Sequence, residues 1–275
     1  MFKLFSKSNL VYDAHELETE RNGWSRARKE IGKLVERILI RQADGVIVVS
    51  ESIAKWYRDN YSLKNVYVIY NFTYKHVEQG AYHAKVFRKR LKLRDDEILF
   101  IYQGALGRGR GIEILLNVFS KVDKIKHIVF MGYGDLEKAV KNWESKYSNI
   151  HFQPAVKPEE VLLYTSAADV GICLVENLCL SYYCTMPNKV FEYVSSGLPL
   201  IVSDFPEMAK IVDHNECGWK VSLDEGSVTD LINKISKEEI EQKRSNVLKC
   251  RDDFLWEKQE KKLLTIYRTL GSCAK

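Results

Sequence analysis

Apolar residues in this chain gather in short runs at a nearly regular interval. Runs of strand length cover residues 10–13, 45–49, 65–70, 98–102, 126–131, 150–152, 170–174, 198–202 and 218–221. The segments between them carry apolar side chains at helical spacing. Residues 24–42 place Ile31, Leu34, Val35, Ile38 and Leu39 on one face, with Arg and Lys on the other. Ser50 stands where a cap would open a helix reaching residue 60. Further helices are predicted to end near 121 and 146, to open at Pro158 and Pro206, and to number two after residue 221, the last being amphipathic over 253–270. Strands alternating with helices imply parallel sheets covered by helices. Residues 72–95 are polar and basic and periodic only over 86–93, so they read as a connection between domains.

The stretch 186–202 joins one short helix directly to one buried strand. Thr185 is the expected cap, Pro187 falls in the first turn, and Gly197 and Pro199 end the helix. Asn188, Lys189 and Glu192 crowd the helix start, which is also the positive end of its dipole. Such a start suits a phosphate and a ribose. The plainer reading is a surface helix with an i,i+3 ion pair, and this stretch alone favours that reading; the rest of the chain reverses the preference.

Composition narrows the class. The 275 residues are 45% hydrophobic and 29% charged, ordinary for a globular protein of one large or two modest domains. The net charge of +5 is spread along the chain and fits an anionic ligand or an anionic membrane surface, with nothing to suggest nucleic acid. No apolar run is long enough to span a bilayer, and the first seven residues lack the features of a signal peptide. The cysteines at 173, 179, 184, 217, 250 and 273 form no metal-binding spacing, so free thiols in a reducing cytoplasm are expected, and no metal site. His76, His83, His127, His151 and His214 have no evident partners and are read as core or surface residues.

Chemistry concentrates at strand-to-helix junctions. The loop 104–111 holds four glycines with Arg108 and Arg110 between a strand and a helix. Glycine lets the backbone approach a ligand, and the arginines supply charge and forked donors, so a pyrophosphate is the natural guest; a flexible turn is the alternative. Gly132 and Gly134 bracket Tyr133 and allow either close passage of a ligand or a plain turn. Residues 153–156, ending in Val156, follow another strand and either wall a nucleobase or form an ordinary loop. Asp13, His15 and Glu16 follow the first strand, either as functional groups at its carboxyl end or as a cap for the next helix. There is no Ser/His/Asp set and no pair of carboxylates at useful spacing.

Taken in order, Gly104…Arg110-Gly111, Gly132-x-Gly134, Ala168-Asp169 and Pro187-Asn-Lys-Val-Phe-Glu192-Tyr-x-x-x-Gly197-x-Pro199 resemble the family 4 glycosyltransferases of the GT-B fold, as does Trp256-Glu-x-Gln-Glu near the end. The resemblance implies an α/β architecture with three parts. These are an incomplete N-terminal, acceptor-side domain over 1–80, a complete Rossmann-like doubly wound domain binding a nucleotide-sugar over 81–252, and a helix over 253–275 packing back toward the N-terminal domain. It also implies a retaining, metal-independent transfer of a hexose from a UDP- or GDP-linked donor to a glycan or lipid-linked acceptor, in surface polysaccharide synthesis, with no separate cofactor. Glu192 would hold the ribose hydroxyls, and Arg110, with Lys189 as the second cation, would neutralise the diphosphate leaving group. Gly104, Arg108 and Asn188 would line the phosphate and ribose site, and Val156 would meet the base. His15 would face the donor sugar, and Asn71 matches a position at the end of the N-terminal domain. The implied location is cytoplasmic, with peripheral contact at the inner face of the membrane.

The chain departs from the family pattern in three places. Cys184 stands where the family often has a second glutamate, and Ala105 replaces the arginine usual after the strand glycine, leaving Arg108 to substitute. Residues 1–80 supply about three strands where a full doubly wound sheet needs five or six. A nucleotide-sugar-binding subunit that needs a partner chain to supply the missing strands is therefore the alternative, and a sugar-nucleotide epimerase of the same fold is a further one.

Overall fold

The structure, a computed structural model, describes residues 8–74 and 80–272; residues 1–7, His76 and Cys273 lie outside the described residues. In chain order the elements are β1 (Val11–Ala14), α1 (Arg26–Ile40), β2 (Gly45–Val48), α2 (Glu51–Tyr61), β3 (Val66–Val68), α3 (Gly80–Arg90), β4 (Ile98–Ala105), α4 (Ile112–Lys121), β5 (Lys126–Tyr133), α5 (Glu137–Glu144), β6 (Ile150–Pro154), α6 (Val161–Thr165), β7 (Val170–Cys173), α7 (Leu180–Tyr183), α8 (Asn188–Ser195), β8 (Leu200–Ser203), α9 (Pro206–Asn215), β9 (Gly218–Val221), α10 (Glu225–Lys234), α11 (Lys237–Cys250) and α12 (Trp256–Ser272). The chain divides into two compact units, one of 1–72, 177–186 and 256–275, the other of 73–176 and 187–255. Residues 177–186, placed by the sequence in the nucleotide-binding domain, therefore group with the first unit.

The first unit is built on a parallel sheet in the order β1-β2-β3. Side chains alternate across it, as a strand's period of two requires. Val46, Val48, Val66 and Val68 pack with Ile53, Ala54 and Tyr57 of α2 on one face. Ile47 and Ile69 pack with Ile266 and Leu270 of α12 on the other. Ser50 caps α2 as predicted, its hydroxyl accepting from the Ile53 N–H at 3.2 Å.

Helix α1 corrects the sequence expectation. Its apolar stripe faces outward: Ile31 is 65% exposed and Leu34 60%, with Val35, Ile38 and Leu39 also exposed. Its sheltered side is partly polar. The Glu36 carboxylate accepts from the hydroxyls of Tyr57 at 2.8 Å and Tyr61 at 2.7 Å, and more weakly from Thr19 and Tyr12. Lys33, from the basic face, pairs with Glu20 at 2.6 Å. A cavity of about 450 Å³ lies between α1 and β1, lined by Val11, Trp24, Val35 and Leu39 among others.

The second unit carries a six-stranded parallel sheet, β6-β5-β4-β7-β8-β9. Its core packs Phe100, Phe130 and Ile172 of the sheet with Phe119 of α4 and with residues of α10. Helix α3 lies where the sequence suggested a connection. Phe87, its buried anchor, stacks edge-on against Tyr164 at 5.0 Å, and Arg88 bonds Asp169 at 2.9 Å. Its first turns escaped the pattern because helical periodicity begins only at residue 86. Three helices, not two, follow β9, and the short helix α7 was also unpredicted.

Candidate nucleotide-binding site

The sheet changes direction at β4. Strands β5 and β6 lie to one side of it, and β7, β8 and β9 to the other. In open parallel sheets the crevice beyond the carboxyl ends of the strands at such a point is where ligands bind. Here it is flanked by the loop after β4 and by the start of α8.

The loop 106–111 leads into α4, whose cap is Gly111 at φ 70°, a left-handed conformation that glycine adopts without strain. A Cβ at this position would also lie 2.6 Å from the Leu174 Cβ. The loop is tied to the end of β7 by Glu176. Its carboxylate accepts from the Gly111 N–H at 3.1 Å, and its own N–H donates to the Gly109 carbonyl at 3.0 Å. Glu176 was not foreseen; its signal was a lone carboxylate just past an apolar strand. Gly132, on β5, is a second required glycine, since a Cβ there would fall 1.9 Å from the Gly104 carbonyl oxygen.

Helix α8 starts two residues later than its sequence suggested. Pro187, in extended conformation, is the cap residue and offers no side-chain acceptor, so Thr185 is not the cap. At the other end Gly197, at φ 74°, donates to the Val194 carbonyl and Leu198 donates to that of Tyr193, a pairing that closes the helix. Among the described residues Lys189 and Glu192 form no ion pair with each other. The Lys189 ammonium lies 3.8 Å from the centre of the Tyr102 ring, a cation–π arrangement. It also stands 3.5 Å from where a Cβ would project at Gly104. The Glu192 carboxylate accepts from the Gln103 amide at 2.5 Å. Tyr193, fully buried, accepts from the Gln103 N–H at 3.2 Å, and its hydroxyl proton has the Ile101 and Ile172 carbonyls within reach.

Burial pushes Cys173, at the end of β7, up to about 11; the positive charges of Lys189 and Arg110 pull it down and the negative charge of Glu192 pushes it up. Lys189, beside Gly104, and Glu192, on Gln103, meet the carboxyl end of β4, and Arg110 stands on the loop that follows it. Arg108 is exposed on the same loop, and Asn188 is exposed in the first turn of α8. Val156 follows β6, two strands from β4 in the sheet order. The neighbouring Gln153 is buried, its side-chain carbonyl bonded to Arg90.

His15 belongs to the first unit, where its ring lies 3.5 Å from the Asp13 carboxylate, both being well exposed. Cys184 also belongs there and is buried in that unit's core beside residues such as Ala14 and Val48. Its carbonyl accepts from the Ser50 hydroxyl at 2.8 Å. At this position the side chain fills a core and does not reach for sugar hydroxyls. None of the five described cysteines is in a disulfide. No helix among the described residues is long and apolar enough to cross a membrane.

Two parallel α/β units, with cations and a carboxylate gathered at the switch point of the second, define a protein of the GT-B glycosyltransferase class. Residues 97–237, just over half of the chain, match the model of the family described as "Glycosyl transferases group 1", and the chain belongs to that family: it is a glycosyltransferase. Among solved structures it is similar to a sucrose-phosphate synthase from Thermosynechococcus elongatus, with TM-score 0.76 and 21% identity, covering 99% of this chain and 70% of that one. It is similar to HepE from Anabaena, in complex with UDP and glucose, with TM-score 0.78 and 13% identity, covering 96% and 72%. It is also similar to WaaG, a glycosyltransferase of lipopolysaccharide biosynthesis, with TM-score 0.62 and 14% identity, covering 90% and 72%. No curated protein sequence matches it.

Proposed function

We propose that this glycosyltransferase moves a hexose, with retention and without a metal ion, from a UDP- or GDP-linked donor to a glycan or lipid-linked acceptor. Its place would be the cytoplasmic side of a membrane, in surface polysaccharide synthesis. The observation that supports the reading is that Lys189 lies beside Gly104 and Glu192 bonds Gln103, both at the carboxyl end of β4, from which the loop bearing Arg110 leaves. When the bond between the anomeric carbon and the diphosphate breaks, negative charge grows on the departing diphosphate. Fixed cations at that point favour the transition state over the bound donor. Arg110 and Lys189 take that role, aided by Arg108, by the backbone at Gly104 and by the N-terminus of α8 at Asn188. Glu192 accepts the ribose hydroxyls, Val156 lies toward the base, and His15 faces the donor sugar. Calorimetric titration with UDP-, GDP- and ADP-sugars, followed by turnover assays, tests this. Arg110→Ala and Glu192→Ala are each expected to weaken nucleotide binding at least about tenfold, the scale of a lost charge-assisted hydrogen bond. Unchanged affinity in both would remove the site.

One observation favours a second reading, in which the chain binds the nucleotide-sugar but turns over only with a partner chain. The stripe of α1 is exposed, β1 has no neighbour on its outer edge among the described residues, and the apolar cavity lies between them. An unpaired strand edge beside an apolar hollow is shaped to receive another strand, which a membrane cannot supply. Binding without turnover by the chain alone would support this reading. Sedimentation with anionic lipid vesicles, abolished by Ile38→Glu, would assign the stripe to the membrane instead.

A further inference from the structure

Gln103 is 2% exposed and stands on β4, a strand whose other buried residues are apolar or aromatic. A buried amide among such neighbours is costly unless its hydrogen bonds are made. Both ends are engaged: Nε2 lies 2.5 Å from Glu192 Oε2, and Oε1 lies 2.5 Å from Thr165 Oγ1. The chemistry of the partners fixes which way the amide points. An ionised carboxylate only accepts, so the NH₂ end must face Glu192, and the carbonyl end is left for Thr165. Thr165 is fully buried at the end of α6, and its hydroxyl must then donate to Gln103, although the Val161 carbonyl lies 2.7 Å away as a second acceptor. The main chain is held as well, by the Gln103 N–H donating to Tyr193 on the helix that carries Glu192.

We infer that Gln103, oriented by Thr165, is a positioning residue for Glu192. It holds one carboxylate oxygen so that the other is presented to the ribose. The relay runs from Thr165 through the Gln103 amide to Oε2, and a hydrogen bond to a charged acceptor is among the stronger ones in proteins. A freely rotating glutamate would pay the entropy of ordering on every binding event, and the relay removes that cost in advance. The inference rests on the proposed role of Glu192 toward ribose.

The test is calorimetry on the full chain with whichever of UDP, GDP and ADP binds, set against its 2′,3′-dideoxy counterpart. The readout is the ratio of the two affinities, which a general loss of structure would not move selectively. Glu192→Gln should lower the ratio about tenfold or more. Gln103→Leu and Thr165→Val should each lower it several-fold while leaving the dideoxy affinity within about twofold, and Thr165→Ser should restore it. A Gln103→Leu, Glu192→Gln double variant should be no worse than Glu192→Gln alone, because the two act through one contact. If Glu192→Gln lowers the ratio and Gln103→Leu and Thr165→Val do not, the relay is overturned and the ribose role of Glu192 stands. If Glu192→Gln leaves the ratio unchanged, or none of the three nucleotides binds, the underlying reading falls and the relay with it.

Discussion

The carboxylate of Glu176 accepts a hydrogen bond from the backbone N–H of Gly111, at 3.1 Å, just where the glycine loop turns into α4. One N–H of a helix start predicted to be open to a phosphate is thus already taken by the protein, which fixes the loop to the end of β7. Replacing Glu176 with alanine removes a charged acceptor and strands that N–H. Destabilisation of about 1.5–3 kcal/mol is expected, read as a lower midpoint in urea. Glu176→Gln, which keeps an acceptor, should recover roughly half of the loss.

Gly132 faces the Gly104 carbonyl across the β4–β5 pairing so closely that any side chain must part the strands. Gly132→Ala is expected to cost more than about 4 kcal/mol or to prevent folding, because the obstacle is backbone and cannot rotate aside. Gly107→Ala, in the loop after β4 with open space around it, is the control and should be close to neutral.

A histidine pair sets the response to acid. His127 Nδ1 lies 2.9 Å from His151 Nε2, the rings are stacked, and His127 Nε2 faces Glu97 at 3.6 Å. With His151 donating to His127, the His127 Nε2–H faces Glu97 from beyond hydrogen-bond reach. Burial, and then the charge of His127, push His151 down to about 4; burial also pushes His127 down. A folded-state value below the unfolded one means that the unfolded chain binds the extra proton between about pH 6.5 and 4. The contribution is therefore complete above that window and is lost as the pH falls through it. For His151 it is on the order of 3 kcal/mol. Thermal melts should show a fall in Tm between pH 6.5 and 4 that is markedly shallower in His151→Phe.

Lys126 is buried, and its ammonium is bonded to the carbonyls of Ile232, Asn233 and Ile235 at the end of α10. Burial pushes its pKa down, yet the three acceptors keep it a donor. Lys126→Met keeps the length of the side chain and leaves those carbonyls unanswered. A loss of about 2–4 kcal/mol in urea unfolding is expected, with the protection of α10 amides against hydrogen exchange falling first.

The stripe on α1 predicts the reverse. Because Leu34 and Ile38 are well exposed, Leu34→Lys and Ile38→Glu should change stability of the chain by no more than about 0.5 kcal/mol, measured in urea. Core residues at the same spacing would cost several times more.

The sheets were legible from sequence because each strand is a local run of apolar residues bounded by a turn. The carboxyl end of β4 was less so, since Gln103 and Gly104 are strand residues that do not look like any. The direction in which α1 faces was not legible at all: periodicity shows that a face is apolar, and only tertiary structure shows what lies against it. At the candidate site, Arg110, Lys189 and Glu192 stood out in the sequence because they sit in recognisable junctions. Gln103, Thr165 and Glu176 were missed because their partners are 62 to 89 residues away, and no local pattern announces a contact at that distance.

The first unit is assembled from three stretches of chain, and α12, which covers Ile47 and Ile69, belongs to the last of them. A ribosome makes the sheet of that unit first and its cover last. While the second unit is still emerging, β1, β2 and β3 wait with one side bare, and any nascent chain released before residue 256 leaves them so. Chaperone dependence during synthesis should therefore track the early sheet, and a stop codon just upstream of α12 should yield aggregates that retain a native second unit.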